Sequence, residues 1–223
     1  MMITKLFVFL PINCKGDPRV IVRQQTIQVF QLLTLKLPTQ PLLEQLLAHL
    51  GNRNARVRAE LLNRIIAILL LIPRDQFNLC ALCYELSSLL LDPKRAVRLA
   101  ALECLAVLGH CLGPQRVRKL IDCVGALQRL HSVDGIVMAL KARLARRDLP
   151  RLLPDGSVRY VLNPSGFAAW YPSLTDADIE WILQGSSSAS GTPPTHSSIL
   201  QTARFTEHGN GKTIEPTLIF MTS

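Results

Sequence analysis

The sequence predicts an all-α fold, a right-handed solenoid of stacked helix pairs, and three observations carry that prediction. A seven-residue pattern recurs, as Asp-Pro-Arg-Val-Ile-Val-Arg over 17–23, Asn-Arg-Asn-Ala-Arg-Val-Arg over 52–58 and Asp-Pro-Lys-Arg-Ala-Val-Arg over 92–98. Aligned on Val22, Val57 and Val97, the copies stand 35 and 40 residues apart. Each copy lies between leucine-rich segments whose apolar residues keep the i, i+3, i+4 spacing of a helix. The chain is 48% hydrophobic but only 5% aromatic, so its apolar mass is Leu, Ile, Val and Ala, which suits packed helices better than sheets. A repeat of roughly 40 residues made of two helices is the period of HEAT or armadillo arrays.

The elements follow in order. The second helix of the first unit runs over Arg19–Leu37. The segment before it is short and broken by Pro11, so this unit is expected to be truncated or to lack its first helix. The same proline interrupts the apolar Met1–Leu10 run, and no small-residue cleavage site follows, so the segment reads as a broken helix and not a signal peptide. Pro38-Thr39-Gln40-Pro41 ends one helix and starts another, with Thr39 as N-cap and Pro41 in the first turn. Leu42, Leu43, Leu46, Leu47 and Leu50 mark one face of that helix, Gly51 stops it, and Ala55–Leu71 forms its partner up to Pro73. The third unit pairs Gln76–Leu91 with Lys94–Leu112, with Asp92-Pro93 as N-cap and first turn. The fourth pairs Gln115–Leu130 with Ile136–Arg147. Val137 keeps the 40-residue register, but Met138 replaces the arginine, the decay expected of a terminal repeat.

After Pro150 the texture changes. Pro154-Asp155-Gly156 is a turn signal, and Ser157–Leu162 suits a short strand or an extended strap. Trp170, Tyr171 and Trp181 form a second patch, with Thr175–Leu183 as one short helix. The predicted organisation is therefore a HEAT domain over 1–151, an extension packing on or near it over 152–184, and a Ser-, Gly-, Thr- and Pro-rich disordered tail over 185–223.

Charge is unevenly placed. Residues 1–151 hold 22 Lys and Arg against 10 Asp and Glu, whereas 152–223 hold 3 against 6. The basic character belongs to the repeats and points to an acidic partner. No apolar run approaches the roughly 18–20 residues of a membrane span. The six cysteines fit free thiols in a reducing compartment better than a disulfide framework. Cys80 and Cys83 form a lone C-x-x-C, which on a helix turns both thiols to the core, and neither His49 nor His110 has the spacing of a zinc partner. Both histidines end helices, where a cation suits the dipole. No phosphate loop, nucleophile elbow or zinc-protease motif is present, so neither an enzyme nor a cofactor is expected.

The repeated element divides by residue. Its Asp ends can cap helices, its valines point inward, and Arg23, Arg58 and Arg98 recur at one height, so Asp and Arg could stack as an inter-repeat ladder. Arg19, Arg53, Arg56, Lys94 and Arg95 have no such packing role. A cation in the first turn opposes the helix dipole by about 0.3–1 kcal/mol. Repeating it either marks a ligand-facing edge or is a solvated rim. Nucleic acid is disfavoured, because the edge lacks interleaved aromatics for stacking.

Three blocks, Leu42–Arg58, Leu90–Gly109 and Val133–Leu152, resemble the second TOG domain of the crescerins, the TOG array regulators of axonemal microtubules. The resemblance runs over about residues 15–184 and includes Asp176–Gly185, which generic HEAT repeats do not share. It implies a monomeric, non-catalytic module of the cytoplasm, cytoskeleton and cilium or axoneme that binds tubulin or microtubules along the edge of intra-repeat loops. By position it places Arg53 and Arg56 in one loop, Lys94 and Arg95 in the next, and Arg19 as a weaker match. It also implies that about four of six helical pairs are present, so the array is expected to be N-terminally incomplete. The alternative is a HEAT scaffold for another acidic protein or for nucleic acid.

Overall fold

A computed structural model describes residues 19–73, 77–162 and 176–185, all within one compact unit. Helices α1 (Val20–Lys36), α2 (Thr39–Ala48), α3 (Ala55–Leu71), α4 (Leu79–Ser87), α5 (Arg95–Leu112), α6 (Val117–Leu130) and α7 (Ile136–Ala145) follow in sequence. A 3-10 turn over Ser88–Leu91 extends α4. Strands β1 (Arg151–Leu152) and β2 (Val158–Arg159) then form a small antiparallel hairpin, and α8 (Ala177–Gln184) ends the described chain.

The helices stack as two layers. The first helices of successive pairs, α4 and α6, pack on each other; so do the second helices, α3 on α5 and α5 on α7. Position in this stack explains burial. α5 touches both layers and the extension, and it buries nearly every residue from Val97 to Leu112. α6 lies outside and buries only Leu120 and Val124. The register valines behave as their spacing requires: Val57 and Val97 are buried and Val22 is half-buried. Met138, which breaks the motif, is exposed.

Several local expectations shift. The N-cap of α2 is Pro38, and Thr39 is the first helical residue, with its side chain buried instead of capping. α5 is capped at Lys94, not Asp92. The Asp92 carboxylate instead accepts the Lys94 N–H two residues on, as Asn52 accepts that of Asn54. α4 begins at Leu79 and ends at Ser87, shorter than its apolar spacing suggested. Cys83 is buried but Cys80 is exposed, because the apolar stripe of α4 runs along Leu79, Leu82, Cys83 and Leu86 and leaves Cys80 just beside it. Burial, with the nearby Cys123 and Cys80 thiols, pushes Cys83 up to about 11. Met1–Pro18, with Asp17 and Cys14, together with Trp170, Tyr171 and the tail beyond Gly185, lie outside the described residues.

Two polar ladders cross the stack at the repeat period. The first contains one rung of the expected Asp–Arg ladder, that of Arg58; the Arg23 side chain lies outside the described residues. Arg58 Nε and Nη2 donate to the two carboxylate oxygens of Asp92 in the next unit, at 2.7 and 3.0 Å. Its Nη1 donates to the carbonyls of Asn52 and Arg53, tying down the loop of its own unit. Arg98 repeats the inner half of this arrangement through the carbonyls of Asp92 and Pro93. The next unit, however, offers Ser132 where Asp92 stood. The outer face of Arg98 is taken instead by the C-terminal carbonyls of α8, Trp181 and Ile182. Cations belong at a helix C-terminus, where unpaired carbonyls gather.

The second ladder has no motif of its own. Asn63, Glu103 and Arg143 occupy equivalent positions 40 residues apart on α3, α5 and α7. Arg143 and Glu103 form a buried ion pair at 2.7 Å. Glu103 also accepts the Leu162 N–H at 2.7 Å, and Asn63 accepts the Tyr160 hydroxyl. Residues 148–162 therefore run back across the second-helix layer as a strap. Its turn rests on α1, where a Cβ at Gly156 (φ +78) would press on the Gln31 and Ile27 side chains and strain the backbone.

Candidate functional site: a basic edge of intra-repeat loops

The Arg58–Asp92 pair fixes the loop of the second unit beside that of the third. This places the N-termini of α3 and α5 side by side along one edge. Arg53 is exposed in its loop and Arg56 in the first turn of α3; Lys94 caps α5 and Arg95 opens it, both exposed. Arg53 contributes its carbonyl to Arg58 and Arg56 its N–H to the Asn54 side chain, so the backbone is held while both guanidinium groups face solvent. Asn54 is the true cap of α3, and it does for that helix what the cationic Lys94 does not do for α5. Neither first turn carries an acidic residue to offset these cations.

Arg19 occupies the corresponding N-cap of α1, three residues before its register valine as Asn54 and Lys94 are, and it is exposed. The structure thus brings Arg53, Arg56, Lys94 and Arg95 together and gives Arg19 the equivalent station on α1. Arg58 and Arg98 belong to the ladder. Burial lowers the pKa of Arg98, with Arg95 adding to the shift and Asp92 opposing it.

Sequence reasoning did not foresee that α8 lies against this edge. Trp181 is buried, with its indole N–H donating to the Leu90 carbonyl at 3.0 Å. Arg146 donates to the carboxylate of the buried Asp178 at 2.6 and 3.0 Å and to Asp176 at 3.1 Å. The hydrogen bond that Asp178 accepts, then the Coulombic attraction of these carboxylates, raises the pKa of Arg146 against the cost of burial. The acidic Asp176–Asp178 start was a visible signal; its basic partner just past the end of α7 was not. Among the described residues no group of three or more His, Cys, Asp and Glu could hold a metal, and no helix is long and apolar enough to cross a membrane.

A two-layer stack of HEAT pairs presenting a rigid basic loop edge, closed by a C-terminal helix, has the architecture of a TOG domain. No family model matches the sequence. Human TOG array regulator of axonemal microtubules protein 1 is 37% identical over 172 residues, which is 76% of this chain and 10% of that protein. The crescerin-like protein che-12 of Caenorhabditis elegans is 31% identical over 182 residues, 79% of this chain and 14% of that one. A solved structure, from work on how crescerin uses a TOG domain array to regulate microtubules in the primary cilium, superposes with a TM-score of 0.66 at 32% identity. The match covers 77% of this chain and 67% of that one. The chain belongs to the crescerin family of TOG array regulators of axonemal microtubules. It spans about a tenth of the length of the human relative it matches.

Proposed function

We propose that this chain is a non-catalytic tubulin-binding module that acts on microtubules of the cytoskeleton and ciliary axoneme. The observation that carries the reading is the pairing of the two loops by Arg58 and Asp92, which aligns Arg53, Arg56, Lys94 and Arg95 as one row of exposed cations. Arg19 extends the row onto α1 as its outlying member. The row meets an acidic protein surface through solvent-exposed pairs. Such pairs set orientation and association rate more than affinity, and salt screens them with a Debye length of about 8 Å at physiological ionic strength. The family supports tubulin as the partner. Neither loop, 50–54 nor 92–96, carries an aromatic on which a base could stack.

Co-sedimentation of the purified chain with microtubules tests this reading. Binding is expected at low salt and should fall as salt is raised. The charge-reversed variant Arg53→Glu/Arg56→Glu/Lys94→Glu/Arg95→Glu should lose it while melting within a few degrees of the parent. Undiminished binding by that variant would remove the loop edge as the site. Tighter retention of the parent on single-stranded RNA than on tubulin would favour the nucleic-acid alternative.

A further inference from the structure

The ends of α5 and α7 and the start of α6 leave a groove at the opposite ends of α5 and α7 from the loop row. Its volume is about 730 Å³, within the roughly 300–1,000 Å³ of established ligand sites. The walls are apolar: Ala106, Gly109, Val117, Ile121, Leu144 and Leu149. Gly109 forms part of the floor, where a Cβ would meet the Leu144 side chain at 2.7 Å, so the groove depends on the missing side chain.

The charged lining is mostly cationic. Lys141 and Arg147 are the exposed cations along it, His110 is exposed beside them, and Asp148 is its acidic member. Lys141 and Arg147 form no ion pair among the described residues. Arg143 also lines the groove, and it is 1% exposed. One of its nitrogens holds Glu103, but its buried Nε has no hydrogen-bond partner among the described residues. Arg147 holds a left-handed backbone (φ +56) at the groove, a strained conformation for a residue with a side chain.

We propose that this groove is a second docking site, for a short acidic peptide segment that inserts one aliphatic side chain between flanking carboxylates. Charge complementarity selects the acids and the apolar floor selects the anchor. Lys141 and Arg147 are six residues apart. Lys141 lies within α7 and Arg147 two residues beyond its last residue, Ala145, so the two cations stand on either side of the helix end. The proposal does not rest on the reading of the loop edge.

Fluorescence anisotropy of the full chain with a labelled peptide, Gly-Ser-Glu-Glu-Leu-Glu-Glu-Gly-Ser, tests it. Saturable binding is expected. Replacing the peptide's Leu with Gly should weaken it roughly tenfold or more, as loss of one buried aliphatic side chain requires. Lys141→Glu/Arg147→Glu should weaken it comparably. Ala145→Trp, at an exposed position on the groove wall, should block it without lowering the melting temperature. The four-fold loop reversal should leave peptide binding unchanged. No saturable binding would overturn the proposal, as would equal affinity for the Gly peptide, indifference to the groove variants or loss on loop reversal. Complete displacement of the peptide by oligouridine would assign the groove to nucleic acid and overturn it too.

Discussion

Arg58 in the loop-proximal turn of α3 and Asp92 at the entry to α5 form a two-pronged ion pair across successive repeats, with side chains only 12% and 6% exposed. The same arginine clamps two carbonyls of its own loop. A single side chain therefore sets the spacing of two adjacent loops, and the basic residues those loops carry acquire fixed positions without contributing to the fold.

Asp92→Ala should cost about 2–3 kcal/mol, the range for losing charge-assisted hydrogen bonds while leaving a partly buried guanidinium short of acceptors. Urea denaturation measures it. Arg53→Ala, one turn away and exposed, should stay within about 0.5 kcal/mol of the parent. Equal costs for the two would show that the ladder is not what fixes the edge.

Arg98 ends the ladder by binding α8, so its loss should be felt 83 and 84 residues downstream. Arg98→Met should raise amide exchange over Ala177–Gln184 at least tenfold while α3 exchanges as before. Arg98→Lys should not restore protection, since an ammonium cannot reproduce a planar fork facing carbonyls on both sides. Gly185→Ala should act similarly. Its φ of +59 disfavours a side chain, and a Cβ would lie 2.6 Å from Arg98 Cζ.

Glu103 and Arg143 are 0% and 1% exposed. Removing one partner from such a pair costs about 3–5 kcal/mol, so Glu103→Leu and Arg143→Met should each destabilise severely. Glu103→Leu/Arg143→Met should cost much less than the two losses added, because no buried charge is left alone. The Leu162 N–H would still lose its acceptor, and that residue of the cost should appear as loosening of the strap. Strict additivity across the cycle would contradict the pairing.

Thiol chemistry reports the packing of α4. At pH 8 iodoacetamide should modify Cys80, which is exposed, and leave Cys83 and Cys104 intact in the folded chain. The pH dependence has a fixed sign. The Cys83 thiol ionises near 9 when unfolded and near 11 when folded, so between those values the folded state holds the extra proton. Its contribution is complete below pH 9 and is lost as pH rises toward 11. Cys83→Ala should make that part of the stability profile shallower but not flat, because burial also pushes the Cys104 thiol up and it acts in the same sense.

The sequence by itself determined the helix pairs, their 35- and 40-residue register, the inward valines and the division of the repeated element into structural ends and a basic middle. These are local or periodic properties, and 3.6-residue spacing, prolines and repeated motifs write them directly into the chain. The stations of Arg53, Arg56, Lys94 and Arg95 were legible for the same reason. Only the tertiary structure decided which arginine meets which acceptor. Asp92 serves Arg58 of the preceding repeat, and α8 serves Arg98, because stacking brings together groups 34 and 83 residues apart that no local pattern connects. The Asn63–Glu103–Arg143 row shares the repeat period but not a residue type. It becomes visible only when the strap crosses three helices and needs an acceptor or a charge from each.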